Sequence, residues 1–217
     1  MASKRSYHHG NLRQALIDTA LELVREVGPQ QLSLREVARR LGVSSGAPYR
    51  HFASRRALLT AVAEEATARL GVGMRKAVAA HPQGSLRQVE ALGRAYLEWA
   101  ERSPMHFRVV SGRDQIDYAA SPGMDLLNKE LRSLAVQALA GAQQQGEALA
   151  CNADDLAVLA RATVYGLARM QHDGHFVQWG PGTDRGWERA HELLALFVSL
   201  LRARAGVPPI AAGCSPP

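Results

Sequence analysis

The stretch SSGAPYRHFASRR, residues 44–56, brings together the hydroxyls of Ser44, Ser45 and Tyr49, an imidazole (His51) and the guanidinium groups of Arg50, Arg55 and Arg56. These groups hydrogen-bond well to anionic oxygens, and phosphate suits all of them. Gly46 and Ala47 add little bulk between the hydroxyls, so the backbone there can approach another molecule closely. An alanine methyl is also a good partner for the methyl of thymine. The stretch therefore has the chemistry to hold a polyanion and to read something beside it.

Other chemistries find less support. The sequence QHDGHF places His172, Asp173 and His175 close together, which would suit a small helical metalloenzyme. No distant carboxylate or cysteine with ligand spacing converges on the pair, so a helix end or surface is the expected setting. No GxSxG, HExxH, phosphate-loop or dinucleotide glycine pattern appears, and neither a catalytic residue nor a cofactor is expected. Cys151 and Cys214 lack CxxC spacing and are expected to be free thiols, with no metal site.

The elements that position residues 44–56 are helical. Leu12, Leu16, Ala20, Leu23 and Val27 recur at helical spacing until Gly28-Pro29 stops them. Ser33 with Glu36 three residues on predicts a capping box, with Leu32 stapled to Val37. A short second helix then carries Leu34, Val37, Ala38 and Leu41, and ends at Gly42, which suits a left-handed C-terminal residue. A third helix is expected to start at Ser44 or Ser45. Pro48 would fall in its first turn, where a missing amide hydrogen costs little, and would push Ala47 away from helical angles. Such a start, small and rich in free amides, favours phosphate. Phe52, Val43 and Leu41 are assigned to the core beneath it. Ser54 is expected to cap a long fourth helix containing Leu58, Leu59, Val62, Ala66 and Leu70. Five more helices are read at 86–101, 104–111, 123–145, 154–172 and 184–204, broken by Pro, Gly and Ser. No alternating strand pattern is convincing, so the fold class is all-α. The tail "GVPPIAAGCSPP" is too rich in Pro and Gly to fold alone.

Charge is placed unevenly along the 217 residues. Residues 1–57 hold ten Lys or Arg against four Asp or Glu, and the remainder is neutral, so the whole net charge of +6 sits in one quarter of the chain. A basic region of that kind, without a strongly amphipathic basic helix, favours nucleic acid over a membrane surface. No apolar run is long enough for a secretory signal or a membrane span, and a cytoplasmic location without membrane contact is expected.

The stretch LSLREVARRLGVSSGAPYRHFASRRALLTAV resembles the DNA-binding domain of the TetR family of bacterial transcriptional regulators, over roughly residues 11–62. The match carries Ala38, the Gly42-Val43-Ser44 turn, the Tyr49-x-His51-Phe52 ending, and Arg55 with Leu58-Leu59. Pro48 stands where that family usually has an aliphatic residue. The resemblance implies a helix-turn-helix that enters the DNA major groove. Ser33, Ser44, Tyr49, His51 and Arg55 would then contact phosphates, and Ser45, Gly46, Ala47 and Arg50 would face the bases. An N-terminal arm with Lys4, Arg5, Tyr7, His8 and His9 would order on the DNA or stay free.

Farther on, GRAYLEWAERSPMHFRVV and VYGLARMQHDG resemble a C-terminal ligand domain of that family named for a Trp-His-Gly motif, with Val164 and Tyr165 in place of Trp and His. Tyr96, Trp99, Met105, Phe107, Met124, Tyr165 and Met170 have the composition of plain core, and the resemblance implies that they line a pocket for a small effector. The last two helices carry wide apolar stripes, Leu156, Leu159, Thr163 and Leu167 on one, and Ala190, Leu193, Leu194, Phe197, Leu200 and Leu201 on the other. These stripes exceed what one neighbour covers, and the family implies a homodimer formed through them as a four-helix bundle. The expected organisation is a DNA-binding domain over 1–57, a ligand and dimerisation domain over 58–205, and a tail over 206–217. The expected function is that of a repressor bound to an inverted-repeat operator in double-stranded DNA and released by a small apolar molecule. A ligand-independent architectural DNA binder is the alternative, predicting sequence-indifferent binding.

Overall fold

The computed structural model describes residues 11–179 and 185–202. The N-terminal arm, Cys214 and the tail lie outside the described residues. The chain divides into two compact units, Met1–Thr67 with Met105–Asp125, and Ala68–Pro104 with Leu126–Pro217. Among the described residues there are helices and no β-strand, only a lone antiparallel bridge between Ala148 and Arg202.

In the first unit, α1 (Leu12–Val27) starts at Asn11, whose side chain accepts from the Gln14 amide at 3.2 Å. Helix α2 (Leu34–Leu41) starts at Ser33, but the expected capping box is absent. Ser33 makes no side-chain capping bond, and the Glu36 carboxylate, rather than reaching back to it, accepts from Arg39 at 2.7 and 2.6 Å. The end of α2 is as the glycine predicts. Gly42 sits at φ 68°, its amide donates to the Arg39 carbonyl, and the Val43 amide reaches back to Ala38 at 3.1 Å.

Helix α3 (Arg55–Ala79) follows, and the Ser54 hydroxyl accepts from the Ala57 amide at 3.1 Å. Leu16, Ile17, Leu23 and Val24 of α1 form one core with Leu34 and Val37 of α2, Phe52, and Leu58, Leu59 and Val62 of α3. Val109 of α5 (Pro104–Ser111), Ile116 and Met124 are buried in the same core. This is why the division differs from the boundary expected at residue 57: residues 105–125 supply apolar groups to the N-terminal core.

The second unit contains α4 (Leu86–Arg102), most of α6 (Pro122–Gln144), α7 (Ala153–His172), α8 (His175–Trp179) and α9 (Gly186–Leu200). Helices α4, α7 and α9 pack against one another. Asn152 caps α7 by accepting from the Asp154 and Asp155 amides at 2.8 and 3.1 Å. The short α8 falls in a stretch for which the sequence predicts no helix.

Candidate functional site

The segment expected to be the third helix is not α-helical. Residues 45–47 form a turn, and Pro48–Arg50 form one 3-10 turn. The cause is the proline: with no amide at Pro48, the Ser44 carbonyl takes its bond from Ala47 instead, at 2.9 Å. Arg50 then donates to Ala47 at 3.3 Å and His51 to Pro48 at 3.0 Å. Ala47 nevertheless keeps helical angles, φ −61° and ψ −43°, against the usual bias of a residue preceding proline. Pro48 and Phe52 are buried, and that anchorage outweighs the local bias.

Anchored in this way, the segment turns its chemistry outward. Ser44, Ser45, Gly46, Arg50 and His51 are exposed, Ala47 is half-buried, and Tyr49 is 50% exposed despite its ring. Ser33 is exposed too. The nearby cations differ in what they already touch. Arg39 and Arg40 are paired with Glu36 and Glu26, and those hydrogen bonds hold both carboxyls below their ordinary range. Arg35, Arg50 and Arg56 are exposed, and no ion pair to them is found among the described residues.

Arg55 stands apart from the role that the resemblance implies. Its guanidinium donates to the carbonyls of Pro29 and Gln30 and, at 2.9 Å, to the Gln115 side chain. Arg55 thus ties α3 to the loop between α1 and α2, with three of its hydrogen bonds made within the protein.

The second unit encloses a cavity of about 260 Å³. Its wall comes from Leu70 and Met74 of α3, Val89, Leu92, Gly93 and Tyr96 of α4, Leu131 and Ala135 of α6, Ala157 and Val164 of α7, and Leu194 and Phe197 of α9. At its rim Arg132 pairs with Asp154 at 2.8 Å. The guanidinium of Arg161 lies 4.4 Å from the centre of the Tyr96 ring and 5.6 Å from that of Tyr165.

Of the seven residues expected to line a pocket, Tyr96 is on this wall. Trp99 is buried behind it, ring to ring at 5.7 Å, and Tyr165 packs under Arg161. Met170 is half-buried near the end of α7 and is not on the wall. Met105, Phe107 and Met124 belong to the other unit, where Met124 is in the core and Met105 packs against it. Arg161 is the residue that sequence reasoning passed over. A lone arginine in the apolar run LAVLARATVYGL was the available signal.

The histidine cluster resolves into structural contacts. The His172 ring lies 3.1 Å from the Ala100 carbonyl and edge-on to Trp187 at 5.3 Å, while Asp173 pairs with Arg169. Among the described residues no three His, Cys, Asp or Glu are placed to hold a metal ion, and no helix is long and apolar enough to cross a membrane.

Comparison with known proteins bears on both units. Residues 16–62 match the bacterial regulatory proteins of the tetR family, and residues 89–205, more than half of the chain, match the tetracyclin repressor-like C-terminal domain. The chain belongs to the tetR family. Its fold is that of a family of transcriptional regulators.

The tetR-family likeness to curated proteins covers part of each chain. The chain is 54% identical over 52 residues to the class C tetracycline repressor protein of Escherichia coli, covering 24% of each chain. It is 37% identical over 76 residues to the E. coli regulator BetI, covering 35% of this chain and 39% of that one. These matches thus span between a quarter and two-fifths of the curated relatives. A solved structure of a protein of unknown function from Rhodococcus sp. RHA1 aligns over 91% of this chain and 99% of its own, with TM-score 0.73 and 29% identity. The ketosteroid transcriptional regulator KstR2 of Mycobacterium tuberculosis shares the fold at 20% identity, TM-score 0.67, over 88% of this chain and 95% of its own. The C-terminal match establishes the domain without establishing the Trp-His-Gly subgroup.

Proposed function

We propose that this tetR-family protein is a homodimeric repressor that binds an inverted-repeat operator through the 44–51 surface of each copy, and leaves it when a small molecule with an apolar body enters the cavity. The observation that carries the reading is the exposure of Ser44, Ser45, Tyr49, Arg50 and His51 around a buried Pro48 and Phe52. A rigid anchor with polar groups outward gives phosphate contacts a fixed register, and Gly46 and Ala47 allow the close approach that base contacts need.

Coupling to a ligand is supported by one helix. Leu70 and Met74 on the cavity wall and Arg55, which holds the Pro29-Gln30 loop, are all on α3. A molecule that favours one position of α3 over another shifts DNA affinity by the ratio of its affinities for the two states. Dimer formation is supported by Val158, Leu159, Leu196 and Leu200, apolar residues of the packed helices α7 and α9, each more than half exposed.

Selection of bound duplexes from a random pool tests the reading. An inverted repeat is expected, with half-site centres about 34 Å apart or a multiple of that. A pool without symmetry, or binding indifferent to sequence, would favour an architectural DNA binder and overturn the proposal.

A further inference from the structure

The cavity in the second unit has mostly apolar walls, and its polar lining is Tyr96, Arg161, Arg132 and Asn128. Its volume of about 260 Å³ can be set against the roughly 150 Å³ apolar cavity that takes up benzene. The space thus suits a body of about two fused rings. No Asp or Glu lines it, and Arg132 is matched by Asp154. Arg161 is different: no carboxylate pairs with it among the described residues, and the tyrosine rings hold its guanidinium at the cavity mouth. Cation–π contact of this kind fixes a guanidinium in place without neutralising it.

The Tyr96 phenol lines the same cavity as Arg161, and its O–H can donate to a ligand. Burial pushes the phenol up from its ordinary range, by more than Arg161 draws it down, so the proton stays on. Tyr96 and Arg161 together therefore offer guanidinium N–H groups and one phenolic O–H, all donors. An uncharged apolar guest would bury the cavity walls and leave these donors without an acceptor.

We infer that the effector is a monoanionic amphiphile, an aryl or alkyl carboxylate whose apolar body fills the cavity and whose carboxylate is held by Arg161 and the Tyr96 hydroxyl. The inference rests on the reading of the cavity as the effector site and names the class of molecule that the site takes. It sharpens the small apolar ligand expected from the sequence by adding a charge.

Calorimetric titration of the full chain with 2-naphthoate and with naphthalene-2-carboxamide, its uncharged counterpart of the same shape, tests the inference. The acid is expected to bind about tenfold tighter than the amide or better, the worth of one charge-assisted hydrogen bond. Arg161→Met is expected to abolish that preference and keep the amide affinity, which also reports an intact cavity. Arg161→Lys is expected to retain part of the preference. Equal affinity of acid and amide for the unmodified protein, a preference that survives in Arg161→Met, or no binding of either compound would each overturn the inference. The unmodified protein alone is decisive, should the variant fail to fold.

Gel shifts on the selected operator separate the two readings. Acid binding that depends on Arg161 without release of DNA keeps the ligand class and removes the repressor reading. Release of DNA by the amide and the acid alike does the reverse.

Discussion

Arg50 and Arg55 lie five positions apart in the same basic stretch, yet their guanidinium groups are in different circumstances. Arg50 is exposed with no ion pair found among the described residues, whereas Arg55 is bonded to the carbonyls of Pro29 and Gln30 and to Gln115. Truncation should therefore divide their effects. Arg50→Ala is expected to leave stability within about 0.5 kcal/mol and to weaken operator binding by about 1–3 kcal/mol. Arg55→Ala removes charged hydrogen bonds to backbone and is expected to cost about 1–3 kcal/mol of folding stability, with the salt dependence of DNA binding unchanged. Urea denaturation and gel shifts at several salt concentrations, run on both variants, check this. A flattened salt dependence in Arg55→Ala at unchanged stability would return Arg55 to the phosphate-contacting role that the family resemblance implies.

At the scale of elements, punctuation was legible and hydrogen-bond accounting was not. Gly42 marks the end of α2 from sequence because a left-handed residue is needed there, and Ser54 marks the start of α3 because its hydroxyl can cap. The 3-10 turn at Pro48–Arg50 escaped, because one missing amide redirects the Ser44 carbonyl to Ala47, and the burial of Pro48 and Phe52 decides whether that arrangement is held. The cavity was legible only through Tyr96. Its other walls are apolar residues at ordinary helical spacing, and whether such residues enclose a void or fill a core depends on how five helices meet. Met105, Phe107 and Met124 have the composition of a pocket but pack in the other unit. Two glycines separate local strain from packing in the same terms. A Cβ at Gly42 would meet nothing within 4 Å, so Gly42→Ala carries only the left-handed penalty at φ 68°, about 1 kcal/mol. A Cβ at Gly141 of α6 would collide with the backbone of Gly84, which cannot move aside as a side-chain tip can. Gly141→Ala is expected to lose more than Gly42→Ala, about 2 kcal/mol or more even after the helix gains from alanine. Urea midpoints of the two variants rank them, and a smaller loss at Gly141 would show that α6 and the Gly84 loop can separate freely.

For the whole molecule, the proposed function depends on two copies presenting two reading surfaces at a spacing set by the DNA, so the proposed contact between copies is where regulation would acquire its geometry. The stripes read from sequence divide by burial in the structure, with Thr163, Leu193 and Phe197 half-buried between the extremes. Leu156, Leu167, Ala190, Leu194 and Leu201 are buried within one chain, while Leu159 and Leu200, with Val158 and Leu196, remain on the surface. Buried members serve the monomer's own core, and exposed ones are free to serve a partner. This separation permits a clean test, because Leu159 is 51% exposed in the single chain and a charge there meets water in the monomer but apolar surface in a dimer. Leu159→Glu is expected to leave the helical content and thermal transition of the dilute monomer unchanged and to shift sedimentation from dimer to monomer at micromolar concentration. A buried, unpaired carboxylate costs several kcal/mol in an interface, enough to raise the dissociation constant by two orders of magnitude or more. Operator affinity should fall with it, since one reading surface must then bind without the other, and a single half-site should be bound no more weakly than before. Leu156→Glu, on the inner face of the same helix, should instead unfold the protein. If Leu159→Glu stays dimeric and keeps its operator affinity, the copies meet elsewhere and the half-site spacing must be set by another pair of faces.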